Sequence, residues 1–247
     1  MLSFIEYVNE ARSIEEVWVR HIDEMTKYGF DRLLYGFTRF RTAHSFGDPL
    51  DCLVLTNHDK AYTDRFINDR LYNHGPMTKW AAANTGACSW RWISEHSDAL
   101  TPSERKVVDF NRQMGVTNGY SISFKSALAR HKGAIGLTAR KDLSQDDVDA
   151  IWEEHGRMIL AMNNIMHLKI MDLPYSSSSR ALTPRQREAL EWVGDGKTMQ
   201  DIAIIMGLKP ATIEKHLRLA REVLDVETTA QAVMKASVQN QIFVLEA

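Results

Sequence analysis

The stretch Ala61–Pro76, A-Y-T-D-R-F-I-N-D-R-L-Y-N-H-G-P, sets Tyr62, Phe66 and Tyr72 at roughly helical spacing and ends in Gly75-Pro76, a pair that stops a helix. Aromatic rings on one helical face supply large apolar area, and a phenol adds a polar handle at the edge. Two outcomes fit: the rings fill a core together with Trp80, Trp90 and Trp92, or they wall a pocket for an apolar ligand. A second stretch carries different chemistry. In A-T-I-E-K-H-L-R-L-A-R-E-V-L, Ala211–Leu224, a rotation of about 100° per residue gathers Ile213, Leu217, Ala220 and Leu224 on one side. Glu214, Lys215, Arg218, Arg221 and Glu222 fall on the other. Laid in a major groove, Arg218 and Lys215 can donate to guanine O6 and N7, and Glu214 can accept from a cytosine amino group. Lys197, Thr198, Lys209, Thr212 and Arg221 suit phosphates.

Other chemistry finds less support. G-D-G-K-T, Gly194–Thr198, ends like a phosphate-binding loop, but Glu191 stands where the first glycine belongs and no strand precedes it. The nine histidines form no H-x₃-H pair and Cys52 and Cys88 lie far apart, so no metal site or cofactor is expected. No G-x-S-x-G occurs, and the acids Asp146, Asp147, Asp149, Glu153 and Glu154 read as a solvated helix face. An enzyme is not expected.

The elements that must position these residues fall into two groups. Leu173–Arg180, L-P-Y-S-S-S-S-R, holds four serines after a proline and reads as a linker over 173–180. Before it, in 1–172, the periodicity predicts helices within Phe4–Lys27 and over Asp59–Leu71, Ser103–Met114 and Ser144–Asp172. Strands are predicted over Arg32–Arg41, Asp51–Thr56, Tyr120–Ser126 and Ala134–Arg140. That order predicts an α+β chain whose first part is an α/β/α sandwich on an antiparallel sheet. After the linker, 181–247 is all helical. Thr183-Pro184 opens one helix with Gln186 placed to complete a capping box, and Thr198 caps the next over Met199–Met206. G-L-K-P, Gly207–Pro210, turns into Ala211–Leu224, and a fourth helix follows from about Thr228 to Ser237: a helix-turn-helix arrangement.

Composition bounds the class without choosing the partner. The 247 residues are 44% hydrophobic and 25% charged, ordinary for a globular protein, with no run long enough to span a membrane and no basic, signal-like start. Two cysteines make no disulfide framework and fit the cytoplasm. Net charge is −2, and residues 181–247 hold eight Lys/Arg against nine Asp/Glu. Non-specific nucleic-acid binding is therefore expected to be weak and quickly lost with salt, and a dimer would double the contacts.

Residues 182–242, beginning L-T-P-R-Q-R-E-A-L-E-W-V-G-D-G-K-T-M-Q-D-I-A, resemble without gaps the C-terminal DNA-binding domain of the LuxR family of bacterial transcription factors. Leu182, Thr183, Arg185, Leu190, Gly196, Lys197, Thr198, Ile202, Ala203, Gly207, Thr212, His216 and Leu217 carry the likeness. Gln186 stands where the family usually has Glu. The first part resembles, more distantly, the autoinducer-binding domain of quorum-sensing regulators, whose aromatic pair, Asp-Pro, Trp and Gly fall on Tyr62, Phe66, Gly75-Pro76, Trp90 and Gly119. The resemblance implies a homodimeric, ligand-responsive regulator of double-stranded DNA at a palindromic operator, acting with RNA polymerase, dimerising through Ser144–Asp172 and the last helix.

It also implies a site for an acyl-homoserine lactone, lined by Tyr62, Phe66, Tyr72, His74, Gly75, Trp90, Gly119 and Gly136. The departures bear on that ligand. The family's tryptophan is Tyr62, its tyrosine is Phe66, the aspartate that accepts from the ligand amide is Gly75, and a pocket Ser or Thr is Gly136. Asn73 or His74 is the expected replacement for the lost carboxylate, and a related lipophilic signal is the expected alternative ligand. Two rivals remain: a ligand-independent or partner-regulated regulator with a filled dimerisation module, and an enzymatic or small-molecule domain whose helical appendage does not use DNA.

Overall fold

The computed structural model describes residues 1–41, 48–174 and 180–243. They form two compact units: Met1–Gly47 with Leu53–Ile170, and Asp48–Cys52 with Met171–Ala247. Tyr175 and the four serines of the expected linker, 176–179, lie outside the described residues.

The first unit opens with α1 (Leu2–Glu10) and α2 (Ile14–Thr26); Ser13 breaks the helical run and caps α2 by accepting from the Glu16 amide. Five strands follow: β1 (Phe30–Thr38), β2 (Cys52–Thr56), β3 (Gly86–Ser89), β4 (Gly119–Ser123) and β5 (Lys132–Ala139), in the spatial order β2-β1-β5-β4-β3. The pairs β1/β5, β5/β4 and β4/β3 are antiparallel. Between β2 and β3 run α3 (Lys60–Thr63), a wide π turn at Asp64–Asn68, a 3₁₀ turn at Leu71–His74 and α4 (Pro76–Ala83). The continuous helix expected over Asp59–Leu71 is thus broken. Arg70, at φ 59°, is the break: a left-handed residue cannot continue an α-helix. The short α5 (Arg91–Glu95), α6 (Pro102–Gln113) and the long α7 (Gln145–Asp172) complete the unit.

Alternation along the strands gives the sheet two unlike faces. Leu33, Tyr35, Ile122, Ile135 and Leu137 are each at most 1% exposed. On that face Tyr35 packs beside Trp18 of α2 and His167 of α7, with its hydroxyl 2.8 Å from His167 Nδ1. Gly133 admits the imidazole, since a Cβ there would lie 2.6 Å from His167 Cε1. Nearby, buried His21 donates to Asn163 Oδ1 at 3.0 Å. Burial holds both histidines neutral, with pKa values lowered to about 4. The opposite face carries small residues.

The second unit holds α8 (Pro184–Gly194), α9 (Met199–Ile205), α10 (Pro210–Leu224) and α11 (Thr229–Val238). Capping boxes open three of them, on Thr183/Gln186, Thr198/Asp201 and Thr228/Gln231. Gln186 therefore caps as a glutamate would. Leu190, Ile202, Ile213, Ala220, Leu224, Ala232 and Ala236 form a core with no exposed surface. Arg180, expected as the end of the linker, is instead buried in this unit, donating to the Leu224 carbonyl at 3.1 Å and to Asp48 at 2.6 Å.

Candidate ligand site and nucleic-acid face

The small face of the sheet is set by register. Leu34 pairs with Gly136, which pairs with Ser121, which pairs with Cys88; one step along, Gly36 pairs with Ala134 and Ala134 with Ser123. Over it packs a cluster of Tyr62, Phe66, Val107 and Val116, with Leu34, Ile67, Leu71, Tyr72, Trp90, Phe110 and Met114 against them. The aromatics are layered: Tyr62 stacks on Phe66 at 5.1 Å, on Phe110 at 5.6 Å and on His58 at 4.6 Å between ring centroids. The wide turn at Asp64–Asn68 sets the Tyr62 and Phe66 rings nearly parallel, 14° apart.

The floor beneath is open. Leu34, Gly36, Ala134 and Gly136 sit on two central strands yet stay partly accessible, while their neighbours facing the other way are buried. A Cβ at Gly36 would meet nothing within 4 Å, and one at Gly136 would make only ordinary contact with Trp90 Cζ2 at 3.7 Å. Interiors are close-packed, so vacant space over the middle of a sheet marks a cleft and not a finished core.

Trp90 closes one end. Its backbone N–H donates to the Gly119 carbonyl at 3.0 Å and its indole Nε1–H to Ser121 Oγ at 2.9 Å. Gly119 permits this approach, because a Cβ there would lie 2.1 Å from the Leu137 carbonyl oxygen and 3.0 Å from Trp90 Cζ3. The residues flanking Trp90 are tied to α7: Ser89 donates to Asp149 at 2.7 Å, Arg91 to Asp149 at 2.8 Å, and Gln145 exchanges hydrogen bonds with Gly119. Asp149, read from sequence as part of a solvated face, is a structural acceptor here.

The structure thus brings together Tyr62, Phe66, Tyr72, Trp90, Gly119 and Gly136, and leaves others apart. His74 and Asn73 are exposed in the 3₁₀ turn. Gly75 is buried at the N-cap of α4 with no side chain to offer. The Tyr62 hydroxyl donates to Asn111 Oδ1 at 3.2 Å, and burial raises its pKa, keeping it protonated. Gly36, Asn111 and Ser121 escaped the sequence reading; strand alternation names their faces only once the register with Gly136 is known.

In the second unit the polar face of α10 is as expected for Glu214, Lys215 and Arg218, all exposed, with Thr212 half-buried in the first turns. Lys197 and Lys209 are exposed at the turns before α9 and α10. Arg218 pairs with Glu222 one turn on, whereas Lys215 has no carboxylate partner among the described residues. Two expectations change. The Arg221 guanidinium donates to Thr229 at 2.9 Å and to Glu214 at 3.4 Å and is only 21% exposed, so it ties α10 to α11 and is not free for phosphate. The Thr198 hydroxyl is spent on Asp201 at 2.6 Å.

Among the described residues no helix is long and apolar enough to cross a membrane, and no group of His, Cys, Asp and Glu could hold a metal ion. The autoinducer binding domain model matches residues 13–170, and the sigma-70 region 4 model matches 179–224, which spans α8 to α10. AnoR, a transcriptional activator of Acinetobacter nosocomialis, is 24% identical over 212 residues, covering 85% of each chain. Escherichia coli SdiA shares the fold over 98% of both chains at TM-score 0.51 and 16% identity, and has also been solved in complex with octanoyl-rac-glycerol. CepR2 of Burkholderia cenocepacia, described as N-acylhomoserine lactone dependent, matches at TM-score 0.54 and 15% identity, covering 69% of this chain and 96% of its own. With an autoinducer-binding domain over most of its length and a region 4-type helix-turn-helix behind it, the chain belongs to the LuxR-type quorum-sensing transcriptional regulators.

Proposed function

We propose that this regulator senses a lipophilic acyl signal, an acyl-homoserine lactone or a related compound, in the space between the aromatic cluster and the small face of the sheet. The observation that carries the reading is the vacancy over Gly36 beneath a buried aromatic wall. A filled dimerisation module would have no reason to leave the centre of its sheet unpacked. The named ligands of CepR2 and SdiA are both acyl compounds, which supports the same class.

As a regulator the chain acts in the cytoplasm as a homodimer on a palindromic operator, in concert with RNA polymerase. α10 enters the major groove, with Lys215, Arg218 and Glu214 toward base edges and Lys197, Lys209 and Thr212 toward the backbone. Ligand binding stabilises the amino-terminal unit by mass action. Thermal shift of the full chain, prepared in a host without lactone synthases, tests this against acyl-homoserine lactones of varied chain length and against other acyl lipids. Saturation to about a hundred times Kd adds about 2.7 kcal/mol. No shift with any acyl compound would leave the filled-module rival standing.

A further inference from the structure

The hydrogen-bonding groups of the amino-terminal site are unevenly spent. Ser121 is 5% exposed and lies on the small face between Cys88 and Gly136 in register. Its Oγ accepts the Trp90 indole N–H, and among the described residues nothing accepts its own hydroxyl hydrogen. A buried hydroxyl with its proton unspent is a donor awaiting an acceptor. The acceptors left to a ligand are neutral oxygens. Asn111 Oδ1 already accepts from Tyr62, and Ser121 Oγ from Trp90, each through one of its lone pairs. Gly75 and Gly136 contribute no side chain. Among the described residues of the amino-terminal unit the buried carboxylate is Glu24, which sits on α2 paired with Lys27 and Arg20.

We infer that this site selects an acyl ester over an acyl amide, with Ser121 donating to the ester carbonyl and the acyl chain lying over Gly36, Ala134 and Gly136. An ester accepts through its carbonyl and has no N–H. The corresponding amide brings a donor into a site that holds no carboxylate to accept it. The inference rests on the reading of this unit as an acyl-ligand domain and names the linkage that domain prefers.

Calorimetric titration of the full chain with α-octanoyloxy-γ-butyrolactone and N-octanoyl-homoserine lactone tests it, because the two ligands differ only in an oxygen for the N–H. The expected result is tenfold or tighter binding of the ester. Ser121→Ala should weaken ester binding about tenfold, and Ser121→Thr, which restores the hydroxyl, should recover it. Equal or tighter binding of the amide overturns the inference while leaving the acyl-ligand reading intact. Ester binding unchanged in Ser121→Ala removes Ser121 from the assignment, as does equal loss in Ser121→Ala and Ser121→Thr. Binding of neither ligand overturns both the inference and the reading beneath it.

Discussion

Two glycines on paired strands should respond to the same added methyl with opposite sign. Gly36 on β1 pairs with Ala134 and faces the aromatic cluster; Gly133 on β5 pairs with Phe37 and faces α7. A glycine inside a strand costs about 0.5–1 kcal/mol relative to alanine, through the extra freedom it gives the unfolded chain. At Gly36 nothing lies within 4 Å of the new Cβ, so Gly36→Ala should realise that gain without strain. In a unit of this size it raises Tm by about 2–4 °C. At Gly133 the Cβ would stand 2.6 Å from His167 Cε1 and 3.3 Å from Phe124 Cδ2, inside a ring packing with little room to give. Gly133→Ala should therefore lose about 1–3 kcal/mol, the usual cost of overpacking. Calorimetric melting of both variants beside the native chain reads the difference. The larger Gly36→Val should keep or raise the melting temperature while abolishing the shift given by an acyl ligand, since its side chain enters the vacancy. Destabilisation by Gly36→Ala comparable to that of Gly133→Ala would refute the open cleft and leave a filled core in its place.

Acid should unfold the amino-terminal unit early. Burial lowers His21, His58 and His167 to about 4, below the ordinary 6.5, so between those values the unfolded chain binds more protons than the folded one. Their contribution is complete above pH about 6.5 and is lost as pH falls toward 4, worth about 3 kcal/mol for His21 alone; a melting temperature flat between pH 6.5 and 5 contradicts this. In operator binding, Lys215→Ala and Arg218→Ala should each cost about 1–3 kcal/mol and relax sequence preference with stability unchanged. Arg221→Ala should instead lower the melting temperature of the second unit, because its bonds to Thr229 and Glu214 are internal; titration by anisotropy beside thermal melts separates the two classes. Gly75→Asp should shift preference from the octanoyl ester toward the amide by about tenfold, since its φ of −68° suits any residue, the flexible Thr78 hydroxyl can move aside, and the Tyr72 carbonyl, 3.3 Å from the new Cβ, need give only slightly. An unchanged ester-to-amide ratio in that variant would mean position 75 does not reach the ligand.

How much of this was legible depends on the range of the interaction. The helix-turn-helix was readable almost to the residue, because its signals are local: Pro184 and Pro210 at helix starts, Thr198 three residues before Asp201, glycine at 207 where φ is +65°. Arg221 departs from the expected phosphate-facing position for the same reason its helix is legible. Periodicity places it on the polar face, but whether that face looks to solvent or to Thr229 is a tertiary fact. The first unit shows the limit more sharply. Its aromatics were visible as a spaced set, yet the choice between core and pocket turned on Gly36 and Ser121, which no local pattern distinguishes from other small residues in strands. Only the register that sets Gly36 opposite Ala134 and Ser121 opposite Gly136 shows that small side chains share one face. The same register gives the site its character. A floor with no Cβ at two places leaves volume, and a buried hydroxyl with its proton unspent leaves a direction within that volume. On the proposed ester reading, the residues absent from the expected ligand motif belong to one arrangement with those that are present: Gly75 and Gly136 withdraw polar anchors that an amide would use, and Ser121 retains a donor for a carbonyl.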